Sequence, residues 1–336
     1  MWIEVLAVKA AESLPTMHIA FIADPLASFK IYKDSTYAMM VEADRRGHVL
    51  SYLQQRDLAR ASSATVEANT QCLHLTGDAS AWYALDAASV VPLAAFDAVV
   101  MRKDPPFDME YVYSTYLLEL AEAQGARVFN RPRAIRDHNE KFAIAEFPEL
   151  IAPTLVTRDA ARIRDFHGEH GDIILKPLDG MGGMGIFRVK ADALNLGSMI
   201  EMLTGDGART IMAQRFIPEI TEGDKRILVI GGAPVPHSLA RIPQGTEVRG
   251  NLAAGGLGRA QPLSARDREI GEIVGARLAQ RGLLLIGVDA IGDYLTEINV
   301  TSPTCFAEIT EQSGFDVAAM FMTALEAAVA DARPAQ

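Results

Sequence analysis

The first clear apolar run covers residues 18–23 (HIAFIA) and stops at Asp24-Pro25, the pattern of a short buried strand followed by a breaker. Asp34 and Ser35 then supply an N-cap for a helix reaching Gly47, and a second strand is expected over residues 48–53. A β-α-β opening implies a parallel sheet covered by helices. Residues 54–96 are patterned more weakly, with strand character around 66–75. Residues 97–101 (DAVVM) read as a buried strand that runs directly into Arg102-Lys103-Asp104-Pro105-Pro106. A helix over 109–124 ends at Gly125, and residues 127–130 give a further strand. Residues 17–137 therefore read as one open parallel-sheet α/β domain, with residues 1–16 as an N-terminal extension. In such sheets ligands lie beyond the carboxyl ends of the strands, which makes Asp24-Pro25 and the segment 102–106 a candidate rim.

The second half alternates differently. A helix is expected around 138–147, a strand over 154–157, a charged helix near 158–169 and a strand over 172–176. A glycine-rich loop, 177–185, separates that strand from another at 186–190. Two strands meet at Gly231-Gly232, a hairpin signal. Residues 243–258 (PQGTEVRGNLAAGGLG) contain five glycines and no period, as a binding loop or lid would. A helix over 264–281 precedes apolar strands at 283–291 and 295–300, and an Ala-rich helix closes the chain.

At 336 residues the length suits roughly two domains. The net charge of −11 argues against nucleic acid, because phosphate contacts need clustered Lys and Arg. Neither a signal peptide nor a membrane-spanning run is recognisable. Cys72 and Cys305 cannot form a disulfide framework, and no metal-ligand spacing surrounds either one. A cytoplasmic protein is expected.

Three groups of residues carry chemistry. Lys176 opens the glycine-rich loop, where backbone N–H groups and an ammonium could cradle phosphate. Asp289, Glu297 and Asn299 offer three hard oxygen ligands of the kind Mg²⁺ takes together with water and phosphate. Glu297 and Asn299 share a strand face. A two-residue turn at Gly292-Asp293 would set Asp289 opposite Thr296, whereas a three-residue loop, 292–294, sets it opposite Glu297. The three-residue loop is expected, because it gathers the three ligands. Arg215, Lys225, Arg226, Arg241 and Arg249 concentrate basic charge in an otherwise acidic chain and suggest an anion pocket. No nucleophile elbow, Cys–His pair or zinc set accompanies them. That absence favours chemistry in which ATP itself makes the electrophile.

Together the segments MRKDPP (101–106), DHNEK (137–141), DIILKPLDGMGG (172–183), GDKR (223–226), LARIPQ (239–244), RGNLAAGG (249–256) and LTEINVTSPT (295–304) resemble the ATP-grasp superfamily, and within it the bacterial glutathione synthetases. The resemblance spans about residues 17–330. It implies an α/β pre-ATP-grasp domain at 17–137 and a two-lobed α+β ATP-grasp domain at 138–330 with a lid at 242–257. It further implies ATP-dependent ligation of γ-glutamylcysteine to glycine, with Mg²⁺ or Mn²⁺. Lys141, Lys176, Gly182, Gly183 and the hinge Gln214, Arg215, Phe216 and Ile217 would then bind ATP. Asp289, Glu297 and Asn299 would bind the metal. Arg226 and Arg241 would hold the reacting oxygens, and Asp34, Ser35, Arg102, Arg249, Gly250 and Asn251 the substrates. A homotetramer is implied as well. Leu257 departs from the basic residue expected at the end of the lid. The competing readings are an ATP-grasp ligase for other substrates and a nucleotide-binding regulator without catalysis.

Overall fold

The computed structural model describes residues 15–245, 249–252 and 255–331. Most of the extension at 1–16, and parts of the lid at 242–257, lie outside the described residues. Three sheets organise the rest.

The first sheet contains β1 (His18–Ile22), β2 (Val49–Leu53), β3 (Leu58–Arg60), β4 (Val66–Leu75), β5 (Tyr83–Leu85), β6 (Ser89–Pro92), β7 (Ala98–Met101) and β8 (Val128–Phe129). Its centre is parallel, with β1 between β2 and β7 and β8 outside β7. The helix Ser35–Arg45 makes the first crossover, and Asp34 caps it by accepting from the Tyr37 N–H. The region that was hard to read extends this parallel centre with antiparallel strands. The ten-residue β4 pairs with β2, β3, β5 and β6. The half-exposed alternation of these strands explains the weak signal.

The second sheet, β9 (Thr154–Thr157), β10 (Ile173–Pro177), β11 (Phe187–Val189) and β12 (Ile211–Arg215), is antiparallel in the order β11-β10-β12-β9. The helix Ala160–His170 and a helix not foreseen, Leu196–Thr204, cover it. The third sheet, β13 (Asp224–Ile230), β14 (Ala233–Ile242), β15 (Leu257–Pro262), β16 (Leu285–Ile291) and β17 (Tyr294–Asn299), runs β15-β14-β13-β16-β17, all antiparallel. The Gly231-Gly232 hairpin forms as expected. The helix Ala265–Ala279 begins with a capping box between Ser264 and Asp267.

One expected element is absent. Residues 138–147 form no α-helix; a short helix, Pro132–Asp137, ends at His138, and a 3₁₀ segment, Phe142–Glu146, follows. Asn139 breaks the run by accepting from the backbone N–H groups of Lys141 and Phe142. A side chain that bonds nearby backbone in this way competes with helix.

Packing divides the molecule unevenly. The four-stranded lobe has its own core, including Ile163, Ile173, Leu175, Ile200 and Ala213. The five-stranded sheet instead shares cores with the first domain. Phe21, Met39 and Met40 pack with Phe306, Phe321 and Met322, and Val99 and Leu118 with Ile227 and Val288. Polar ties reinforce this junction. Asn130 donates to the carbonyls of Leu285 and Val300, and Glu326 of the last helix, Val317–Asp331, accepts from Arg46 and from His48 Nε2. Among the described residues no helix is long and apolar enough to cross a membrane.

Candidate active site

A cavity of about 340 Å³ opens between the four-stranded lobe and the five-stranded sheet. Its floor follows from strand register. Asp224 and Arg226 are two apart on β13 and share a face, Arg241 lies opposite Asp224, and Asp289 lies opposite Arg226. Arg226 grips Asp289 with both nitrogens of its fork, Nη2 lying 3.0 Å from Oδ2. Arg241 bridges Asp289, at 2.9 Å, and Asp224. Gly287, which the sequence reading passed over, makes room for this arrangement: a Cβ there would lie 3.0 Å from Cδ of Arg226 and 3.2 Å from its Nε.

Asp289 does face Glu297, as expected, but not through a three-residue loop. The turn is the two-residue Gly292-Asp293, pairing Ile291 with Tyr294, and the register shifts by one between Asp289 and Ala290. Thr296 is the extra residue, a β-bulge that re-aims its neighbours. Its hydroxyl donates to the Asp289 carbonyl, and its own carbonyl accepts from Lys176 Nζ at 3.2 Å. Asn299 Nδ2 lies 3.3 Å from Asp289 Oδ2. The expected metal triad is thus assembled on one face, though by a different backbone device.

Lys141 touches this triad, and Lys176 reaches the bulge beside it. Lys141 donates to Glu297 Oε1 at 3.3 Å and to the Gly180 carbonyl. Glu140, not singled out from sequence although it stands in the DHNEK segment, fixes that position: its carboxylate accepts from the N–H groups of Val300 and Thr301 and from the Thr301 hydroxyl. Lys176, buried, also donates to Gln214 Oε1 at 3.3 Å. The segment 214–217 is held from outside, where Arg188 pairs with Asp172 and lies 3.5 Å over the Phe216 ring.

Burial and charge act against each other here. Burial opposes ionisation of Asp289, but Arg226 and Arg241 overcome it and hold the carboxyl at about 2. Burial, with repulsion from Asp289 and Glu297, lifts Asp224 to about 6 despite Arg241. Burial and the nearby Lys141 bring Lys176 down to about 8, against the pull of Glu297.

Gly182, Gly183, Gln214, Arg215, Phe216, Ile217, Arg249, Gly250 and Asn251 all line the cavity. Gly183, at φ +81°, admits the segment carrying Arg249 and Asn251: a Cβ there would lie 2.7 Å from Asn251 Oδ1. Other expected residues do not line it. Lys225 turns to the opposite face and pairs with Asp267. Asp34, Ser35 and Arg102 stand behind the wall. There Arg102 donates to Thr36 Oγ1 and the Pro303 carbonyl, its Nη1 has no hydrogen-bond partner among the described residues, and Ser35 Oγ accepts from the Phe306 N–H.

A four-stranded lobe facing a five-stranded sheet across a cleft of lysines, arginines and carboxylates is the architecture of the ATP-grasp ligases. The crystal structure of the D-cycloserine synthetase DcsG matches with a TM-score of 0.65 at 17% identity, covering 93% of this chain and 99% of its own. The ATP-grasp ligase PsnB, solved with a minimal precursor, Mg and ADP, matches at 0.60 and 19%, covering 94% and 99%. Sequence narrows the class to a family. Residues 17–136 match the N-terminal domain of prokaryotic glutathione synthetase and residues 140–314 its ATP-grasp domain. The glutathione synthetase of Ralstonia nicotianae is 64% identical over 316 residues, 94% of this chain and 97% of that protein. That of Shewanella oneidensis is 53% identical over 308 residues, 92% and 98%. The chain belongs to the prokaryotic glutathione synthetase family and is an ATP-dependent ligase.

Proposed function

We propose that the protein joins γ-glutamylcysteine to glycine with consumption of ATP, through an acyl phosphate. A carboxylate oxygen of the dipeptide attacks the γ-phosphorus, and the bond to ADP breaks. The glycine nitrogen then attacks the acyl carbon, phosphate leaves, and the amine proton passes to solvent. The observation that carries this reading is that Lys141 meets Glu297, and Lys176 the adjoining Thr296 bulge, on the hairpin that carries Asp289, Glu297 and Asn299.

Lys141 and Lys176 would hold the nucleotide phosphates, and the segment 214–217 the adenine edge. Asp289, Glu297 and Asn299 suit Mg²⁺: they are hard oxygen donors, the first buried and the other two half-buried, and Asp224 Oδ1 beside them has no hydrogen-bond partner among the described residues. Bound there, Mg²⁺ (or Mn²⁺) would offset charge on the transferring phosphoryl oxygens. Arg226 and Arg241 hold oxygens of the substrate carboxylate and of the acyl phosphate by their planar forks. Arg249, Gly250 and Asn251 of the lid are assigned to the substrates, and Asp34, Ser35 and Arg102, which stand behind the cavity wall, to the dipeptide end of the site. Lid closure keeps water from the acyl phosphate.

The reading includes the division at 137/138, a cytoplasmic location and a homotetramer. Supporting self-association, the helix Met109–Ala123 exposes Met109, Tyr113, Tyr116 and Leu120 at helical spacing. Phosphate release assayed with γ-glutamylcysteine and glycine, with and without divalent metal, tests the reaction. Equal release with D-alanine or another amine would instead point to a different ATP-grasp ligase.

A further inference from the structure

On the outer edge of the first sheet, away from the cleft residues, strand β4 turns Cys72 and His74 to the same side while Leu73 between them packs inward. Strand β5 runs antiparallel to it, pairing Leu73 with Leu85 and His74 with Ala84, so Asp86 arrives beside Cys72. The backbone fixes Asp86 there, its N–H donating to the Cys72 carbonyl at 3.1 Å and its carbonyl accepting from Gln71 Nε2 at 3.0 Å. The thiol, imidazole and carboxylate have ligand atoms all within 4.8 Å of one another.

We propose that Cys72, His74 and Asp86 form a binding site for a thiophilic divalent cation, Zn²⁺, separate from the oxygen-lined site in the cleft. Sulfur, nitrogen and oxygen ligands at bond lengths of about 2.0–2.3 Å stand roughly 3.3–3.8 Å apart around a tetrahedral ion, so the His74–Asp86 pair would open slightly from 3.0 Å, starting from a cluster already within 4.8 Å. A thiolate with an imidazole selects zinc-like ions over Mg²⁺. His74 Nε2 now meets Asp86 Oδ2 at 3.0 Å, so both donors are already turned inward. Both are more than half exposed, leaving water for the fourth position. Zinc takes the Cys72 thiolate, so binding releases the thiol proton. No ligand spacing marked Cys72 in the sequence because its third donor comes from another strand. The ion would tie β4 to β5 and so fasten the intervening loop, whose Trp82 packs against Phe29 and Tyr37.

Co²⁺ titration of the full-length, reduced protein in saturating Mg²⁺ tests this. A sulfur-to-cobalt charge-transfer band should saturate at one equivalent, disappear in Cys72→Ser and persist in Cys305→Ser. The oxygen ligands of the cleft cannot produce such a band. Zn²⁺ should raise Tm of the wild type and not of Cys72→Ser. His74→Ala, at an exposed position, should weaken Zn²⁺ by more than about tenfold, the least that losing even a supporting partner costs. Absence of the band at saturating Co²⁺, its survival in Cys72→Ser, or an unchanged wild-type Tm with Zn²⁺ overturns the proposal. Ligase turnover in Mg²⁺ is expected to be the same in wild type and Cys72→Ser, so the result stands apart from the reaction assigned to the cleft.

Discussion

The ammonium of Lys176 lies 3.2 Å from the carbonyl oxygen of Thr296, the residue that the C-terminal hairpin pushes out of its ladder. The bulge therefore joins the two lobes at the point where phosphate and metal are assigned to meet. A perfectly paired hairpin would keep that carbonyl in the ladder.

This contact has a pH consequence. Burial brings Lys176 down to about 8, against about 10.4 for an ordinary lysine. Nucleotide phosphates favour the charged form, so above pH 8 binding must first return a proton. KM for ATP should rise about tenfold per pH unit there. In Lys176→Arg the charge persists, and the rise should vanish whatever the absolute affinity. Parallel curves for the two proteins would count against Lys176 as the titrating group.

Glu297 faces both Asp289 and Lys141. Glu297→Gln keeps the shape and removes the charge. Turnover should fall by about 10²–10³-fold or more, the scale of one lost electrostatic contact at a reacting group. Circular dichroism should be unchanged. Activity within a few-fold of wild type would remove Glu297 from the metal set.

Gly287→Ala tests space rather than charge. The added methyl meets the Arg226 side chain, and overpacking costs about 1–3 kcal/mol. Turnover should drop more than the Tm shift explains, because the fork is displaced from Asp289. A variant with normal kcat would show that the guanidinium can move freely.

Away from the cleft, Asp267 is almost fully buried, completes the capping box with Ser264 and pairs with Lys225. Ser264→Ala should cost about 1 kcal/mol in urea unfolding. Asp267→Ala leaves Lys225 without its carboxylate and should cost about 3–5 kcal/mol. Equal losses would mean that the ion pair contributes nothing beyond the cap.

Much of this was legible in the chain. Strongly apolar runs such as those at His18–Ile22 and Leu285–Ile291 announce buried strands, and Asp34 and Ser264 announce helix starts. The pairing of Asp289 with Glu297 was legible for the wrong reason, since a bulge at Thr296 has no compositional mark. Glu140 and Gly287 escaped because their value is spatial. One receives hydrogen bonds from residues far along the chain, and the other matters by lacking a side chain. Asn139 misled through its local bonds, which end a run that its neighbours would continue as helix.

The clasp of Arg46 and His48 on Glu326 bears on how the chain is made. The ribosome delivers the first domain long before the last helix, yet that helix covers the face of Met39 and Met40. A nascent chain thus carries an uncovered apolar surface until residues 317–331 emerge. Chaperone demand should therefore concentrate before that helix emerges, and a stop codon ahead of residue 317 would leave the domain at 17–137 without its cover.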